Sequence, residues 1–301
     1  MKSPIVFNAS TTPLTLGAEV ELQLLDQATF DLRPSSIEVL KQLAPTTKIH
    51  PELFQSMVEI NSGICQNAHE LEKDFTESSA RLQTVTNQLG LKIATAGTHP
   101  FAVYSERKLF PDARYRELLD RNQWIAKRLM IFGLHVHIGM RDGDHAIHMN
   151  NALIHYLPML LALSASSPFW LGQDTELASS RITIFEALPT GGHPCVVKNW
   201  KEFSNLFAVL ERSKAVRTVK DIWWDIRPSP DYGTIEVRIC DGLPTMRETM
   251  GIVALIHALC HHLNRQMDSG VKFSAPPDWL IRENKWRASR HGVEADLITN
   301  I

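Results

Sequence analysis

Residues 16–25 read LGAEVELQLL. Side chains of an extended chain alternate faces, so Glu19 and Glu21 share one side while Val20 and Leu22 take the other. The stretch predicts a strand that is apolar on one face and acidic on the other. Three further stretches repeat the pattern. In Phe54 to Ile60, Gln55, Met57 and Glu59 lie opposite Val58 and Ile60. In Gly133 to Gly139, His135 and His137 lie opposite Leu134, Val136 and Ile138. In Thr234 to Cys240, Glu236 and Arg238 lie opposite Ile235, Val237 and Ile239.

Helical periodicities surround these strands. Leu71, Phe75, Ser78, Leu82, Val85 and Leu89 recur at spacings of three and four, predicting a helix from His69 to Leu89 that Gly90 stops. Lys92 to Ala96 reads as a short strand ending in a turn at Gly97, and Arg114 to Met130 as a helix. Asp144 is expected to cap a long helix running through the apolar residues 156–165. Ile222 to Arg227 and Thr234 to Asp241 read as two strands joined by the Pro-Ser-Pro-Asp turn at 228–231. Met246 to Met267 and Pro277 to Arg290 complete the helices. Strands joined by tight turns and followed by long helices imply an α+β fold with a largely antiparallel sheet. A doubly wound parallel sheet would need strict βαβ alternation, which is missing.

Composition narrows the function. With 31 Lys and Arg against 33 Asp and Glu, the net charge of −2 offers no bulk basic field for nucleic acid or an anionic membrane. The most apolar run is about ten residues and contains Pro158, whereas a membrane span needs about twenty. Cys65, Cys195, Cys240 and Cys260 are scattered, as expected of reduced structural thiols in a cytoplasmic protein. The N-terminal residues lack the apolar core of a signal peptide. Neither G-x-G-x-x-G nor a Walker-type loop is present, so a nucleotide would be held by other means.

The polar strand faces carry the chemistry. Solvent faces of sheets mix Lys, Thr, Ser and Glu, but here glutamate recurs almost without lysine. Glutamates gathered on one face repel unless cations neutralise them. Oxygen-rich donors with one imidazole suit Mg²⁺, or alternatively Mn²⁺, better than zinc. Hard divalent ions beside arginines handle phosphates. His137 is the favoured imidazole ligand, and His135 reads as a hydrogen-bonded histidine behind it. Arg238 stands two residues from Glu236 and must face the same site, where a guanidinium can grip carboxylate or phosphate. Arg181, Arg227 and Arg287 are further candidate anion binders. Trp223, Trp224 and Trp286 read as packing residues. Repulsion among the acids implies that Glu236→Gln leaves the fold intact or more stable.

At these motifs the chain resembles the bacterial carboxylate–amine ligases of the glutamate–cysteine ligase family 2 type. The resemblance rests on TLGAEVELQLLD, HPELFQSMVEINSGICQ, GLHVHIGM, LPMLLALSASSPFWLGQDTELASSR, WWDIRPSPDYGTIEVRICD and NKWRASRHGVEADLI, in that order from about residue 14 to 298. It implies a glutamine synthetase-like catalytic domain: a curved, mostly antiparallel sheet backed by helices, spanning residues 1–301 as one domain. It further implies Glu19, Glu21, Glu59, His137 and Glu236 as metal ligands. Arg181, Arg238, Asn284 and Arg287 fall on positions expected to contact phosphate or substrate carboxylate, with Arg227 beside them. Arg181 and Asn284 rest on the resemblance alone.

The implied reaction uses ATP and Mg²⁺ to turn a carboxylate into an acyl phosphate, which an amine then attacks. Amino acids are the expected partners, with glutamate and cysteine the family's nominal pair, and a homodimer is the family's suggestion. Relatives continue for several dozen residues beyond the N-K-W-R motif, so the catalytic domain is expected to be C-terminally short. Two other readings stay open: a kinase of a small carboxylate or guanidino compound, and a non-catalytic binding protein on a decayed ligase fold.

Overall fold

The acid-and-apolar alternation of the first strand builds the centre of one large sheet. The structure, a computed structural model, describes residues 5–43 and 48–299. In chain order it forms β1 (Leu16–Asp26), α1 (Ser36–Gln42), β2 (Ile49–Pro51), β3 (Met57–Asn61), α2 (Ala68–Gln88) and β4 (Leu91–Ala94). There follow α3 (Ala113–Asn122), α4 (Trp124–Lys127), β5 (Gly133–Gly139), α5 (Gly143–Leu153) and α6 (Leu157–Ser164). Short pieces come next: β6 (Phe169–Trp170), β7 (Gln173–Asp174), α7 (Arg181–Phe185) and β8 (Gly191–Gly192). The chain continues through α8 (Trp200–Arg212), β9 (Trp223–Trp224), β10 (Ile226–Ser229), β11 (Thr234–Asp241), α9 (Met246–Asp268) and α10 (Asp278–His291).

Seven strands join in the order β10-β11-β5-β1-β3-β2, with β4 also paired to β1. Every pairing in this sheet is antiparallel. Leu16, Ala18, Val20, Leu22 and Leu24 of β1 are buried on the apolar face, as are Leu134, Val136 and Ile138 of β5. Helices α2, α5, α6 and α9 contact the strands and close one hydrophobic core. The expected α+β architecture is therefore present, and the four strands carrying the acids, histidines and Arg238 are consecutive neighbours.

Helix α2 shows why local pattern sufficed for much of this. Its buried residues include Leu71, Phe75, Ser78, Leu82 and Val85, Asn67 accepts from the Glu70 amide as N-cap, and Gly90 takes a left-handed φ of 67° after the helix. Elsewhere the elements are shorter than predicted. The helix expected over Arg114 to Met130 breaks at Gln123, whose φ of 48° separates α3 from α4. Asp142, not Asp144, caps α5 by accepting from the His145 amide at 2.7 Å; Asp144 instead accepts from the Trp200 amide at 2.8 Å. The apolar run does not continue as one helix. A 3₁₀ turn at Ile154–Tyr156 ends α5, and Pro158 sits in the first turn of α6, where a missing N–H costs nothing. Likewise β3 starts only at Met57, because the chain turns there and the Gln55 side chain donates away to the Leu109 carbonyl. Among the described residues no helix is long and apolar enough to cross a membrane, and all four cysteines are unpaired.

Phe75 is 1% exposed beneath the sheet. Phe75→Ala should cost about 3–5 kcal/mol in urea unfolding, whereas Glu72→Ala on the exposed face of α2 should stay within about 0.5 kcal/mol.

Candidate active site

Sheet register converts four one-faced strands into a single acidic floor. Glu19 stands opposite His135, Glu21 opposite Glu59, and Glu236 opposite His137. Side chains paired directly across antiparallel strands share a face and approach closely. The floor lines a cavity of about 470 Å³ bounded by β2 and α3 on one side and by α7, β9 and β10 on the other.

Three overlapping sets of donor atoms lie within 4.8 Å of one another: Glu19–His137–Glu236, Glu19–Glu59–His135 and Glu21–Glu52–Glu59. All five sequence-predicted ligands belong to one or more of these sets. Glu52 and His135 join them as well. Glu52 was missed because it follows the short β2 and shows no alternation, although it lies inside the quoted HPELFQ segment. His135 was read as a supporting histidine, and it does contact Glu19, with Nδ1 3.3 Å from the carboxylate.

The charges are unevenly balanced. Burial and the neighbouring Glu52 push the Glu21 carboxyl up to about 8, against the pull of Arg181 and the Gly133 amide. Burial and the charges of Glu19, Glu52 and Glu21 raise Glu59 well above the ordinary carboxylate range. Two acids go the other way. Burial would raise Glu19, yet hydrogen bonds to His135 and His137 hold it well below its usual value. Burial likewise opposes ionisation of Glu236, yet Arg227, Arg238 and His137 keep it charged. Burial and Arg238 drop His135 to about 4, whereas Glu236 and Glu19 lift His137 despite its burial.

Both predicted arginines of the hairpin face this site. Arg227 donates to Glu236 through Nε at 2.9 Å and Nη2 at 3.2 Å, while its Nη1 donates to the carbonyls of Ile222 and Lys220. Arg238 also pairs with Glu236, and its buried Nε has no hydrogen-bond partner. Arg181 is 1% exposed beneath the cavity wall. It donates to the carbonyls of Arg238 and Ile239 and lies 3.9 Å from Asp241, which also accepts from Ser167, Ser179 and the Ser166 amide. Gly133 makes room for it: a Cβ there would meet Arg181 Nη2 at 2.2 Å.

Two predicted residues lie elsewhere. Asn284 exchanges two 2.8 Å hydrogen bonds with the Ile298 backbone, and Arg287 pairs with Glu283 and the Asp296 carbonyl. Neither lines the cavity, because α10 packs on α6 and presents them to the C-terminal segment. Trp224 is buried, as a packing residue is, but Trp286 is 52% exposed and does not pack as expected, and Trp223 lines the cavity and stacks on Phe185 at 5.9 Å.

The expectation for Glu236→Gln is corrected by this geometry. Glu236 is the acid whose charge is matched, so its removal strands two buried arginines. Glu236→Gln should destabilise the metal-free chain by about 3 kcal/mol, whereas Glu59→Gln, which relieves repulsion, should stabilise it; urea unfolding in a chelator compares the two. A pH dependence accompanies this. The folded chain keeps the Glu21 proton to about pH 8, while an unfolded glutamate loses it near 4.5, so stability falls as pH rises between those values. His137, raised in the fold, acts in the same direction above pH 6.5. Without metal the Tm should be lower at pH 8 than at pH 6.5, and Glu21→Gln should shrink the difference.

Comparison with known proteins identifies the family and the fold. The family model "Glutamate-cysteine ligase family 2(GCS2)" matches residues 15–300. The chain is 51% identical over 296 residues to a protein of Bdellovibrio bacteriovorus named "Putative glutamate--cysteine ligase 2", covering 98% of this chain and 78% of that one. A protein of the same name from Gloeobacter violaceus is 44% identical over 298 residues, with 98% and 80% covered. Among solved structures, glutamate–cysteine ligase from Francisella tularensis in complex with AMP superposes with a TM-score of 0.65 at 12% identity, covering 96% of this chain and 73% of that one. The bifunctional glutathione synthetase of Pasteurella multocida gives 0.64 at 13%, covering 94% of this chain and 41% of that one. At such identities the two structures speak to the fold, and they share it with this chain. On sequence, this chain belongs to glutamate–cysteine ligase family 2.

Proposed function

We propose that the cavity activates a small carboxylate with ATP and passes it to an amine, as in the carboxylate–amine ligases of this family. The observation that carries the reading is the pairing, on one sheet face, of oxygen-rich donor sets with arginines that have spare donors. We read the described elements as one catalytic domain around a shared core.

The donor chemistry fits hard divalent ions. Carboxylates dominate, and the buried His137 Nε2 lies 3.4 Å from a Glu19 carboxylate oxygen, so the two stand together as candidate donors. Glu19, His137 and Glu236 would hold one ion, and Glu21, Glu52 and Glu59 another; Mg²⁺ is the proposed species, with Mn²⁺ as alternative. Bound there, such ions neutralise phosphate oxygens and the acids' own charge. Arg227 and Arg238 pair with Glu236 of the first set, which favours seating the phosphates on the β10–β11 side. Tyr115 of α3 lies near Glu52 and Glu59 of the second, which favours seating the organic substrates towards α3.

The chain's residues then act by position and charge. A substrate carboxylate oxygen attacks the γ-phosphorus, the bond to ADP breaks, and an acyl phosphate forms. The Arg238 guanidinium, which lines the cavity, would supply positive charge beside the transferring phosphoryl oxygens. The amine attacks the acyl carbon, phosphate leaves with its bonding pair, and the new amide nitrogen loses a proton. No protein nucleophile is required. Glutamate and cysteine are the first pair to test, as the names of the relatives suggest.

A screen of amino acids and amines for ADP release tests the reading. ADP release should need ATP, Mg²⁺, a carboxylate and an amine together, and Glu59→Gln should lower it at least a hundredfold. Release with a carboxylate alone would make the protein a kinase. Absence of nucleotide binding in calorimetry would make it a binding protein on a ligase fold.

A further inference from the structure

The N-K-W-R segment contributes to the site through a residue that the motif reading passed over. Lys285 is 4% exposed, and its Nζ lies 2.5 Å from Asp225 and 2.5 Å from Glu186. Asp225 is 1% exposed, its Oδ1 has no hydrogen-bond partner, and Lys285 is its ion-pair partner among the described residues. A buried carboxylate in that state depends on its one cation. Both acids border the cavity wall. Glu186 follows Phe185, Asp225 stands two residues after Trp223, and Phe185 and Trp223 stack with ring centroids 5.9 Å apart. The Asp225 carbonyl also accepts the Arg238 amide at 2.7 Å, where β11 shifts register against β5. A bulge of this kind aims a side chain, and the bond from Asp225 holds it in place.

We infer that Lys285 is a positioning residue for the phosphate side of the site: it ties Glu186 to Asp225 and thereby sets the Phe185–Trp223 wall and Arg238. The inference rests on the proposed reading of that side as the nucleotide's. Lys285 does not line the cavity itself; it reaches the site through two neighbours, from a helix whose Asn284 and Arg287 meet the C-terminal segment.

The test compares Lys285→Met, the double variant Lys285→Met/Asp225→Asn, and Lys285→Arg, using MgADP binding by calorimetry. The single variant strands the Asp225 charge and can lose stability for that reason alone. The double variant removes the charge, so it should regain the wild-type unfolding midpoint, yet bind MgADP about tenfold or more weakly, as loss of a supporting partner does. Lys285→Arg, which keeps the cation, should recover part of that affinity. Mn²⁺ binding without nucleotide, which reports on the carboxylates, should be unchanged in the double variant. A folded double variant that binds MgADP as tightly as wild type would overturn the inference. Wild-type chain that fails to bind MgADP would instead overturn the nucleotide reading, so the two failures are distinguishable.

Discussion

The Glu236 carboxylate, 2% exposed, lies between the guanidinium groups of Arg227 and Arg238, with His137 opposite it on the next strand. Around this matched group stand Glu21, Glu52 and Glu59, partly buried acids whose charges repel one another. The site therefore has two electrostatic halves. One is neutralised by protein cations and keeps its acids ionised. The other is short of cations, and its acids hold their protons above the ordinary carboxylate range.

That asymmetry suits phosphoryl transfer followed by amide formation. Developing negative charge needs preorganised positive groups at the phosphate, which Arg227 and Arg238 of the β10–β11 hairpin would supply in the proposed reading. In the proposed reading, the proton-rich half beside it would take divalent ions, with the α3 side left to amino-acid substrates. The preorganisation costs buried ion pairs, and the fold satisfies them locally. Asp241 collects Ser167, Ser179 and the Ser166 amide around Arg181, and Gly133 supplies the gap in which that guanidinium lies. Lys285 performs the corresponding task for Asp225 from α10.

The apolar side of the sheet explains why this polar face can be so unfavourable in isolation. Leu24, Leu134, Val136, Ile138 and Val237 are fully buried beneath it, packed by the helices. Their burial stabilises strands whose other faces repel. Substitutions on the two faces should therefore differ in kind: those below act on stability, and those above act on charge balance and chemistry.

Much of this was legible in the chain itself. Period-two alternation determined β1, β5 and β11 and placed Glu19, Glu21, His135, His137, Glu236 and Arg238 on their polar faces, because side-chain direction in a strand is local. Periodicity also determined α2 and α9 nearly to their ends. Tertiary structure alone decided which strands are neighbours, since register comes from non-local pairing. It brought in Glu52, which follows a three-residue strand too short to show alternation. It broke the helix at Gln123, whose φ is 48°, where the residue pattern shows no stop. It also directed Asn284 and Arg287 to the C-terminal segment while burying Lys285 against Asp225. Residues one apart on a helix point in different directions, and only the packing of α10 on the rest of the fold decides which of them meets the site.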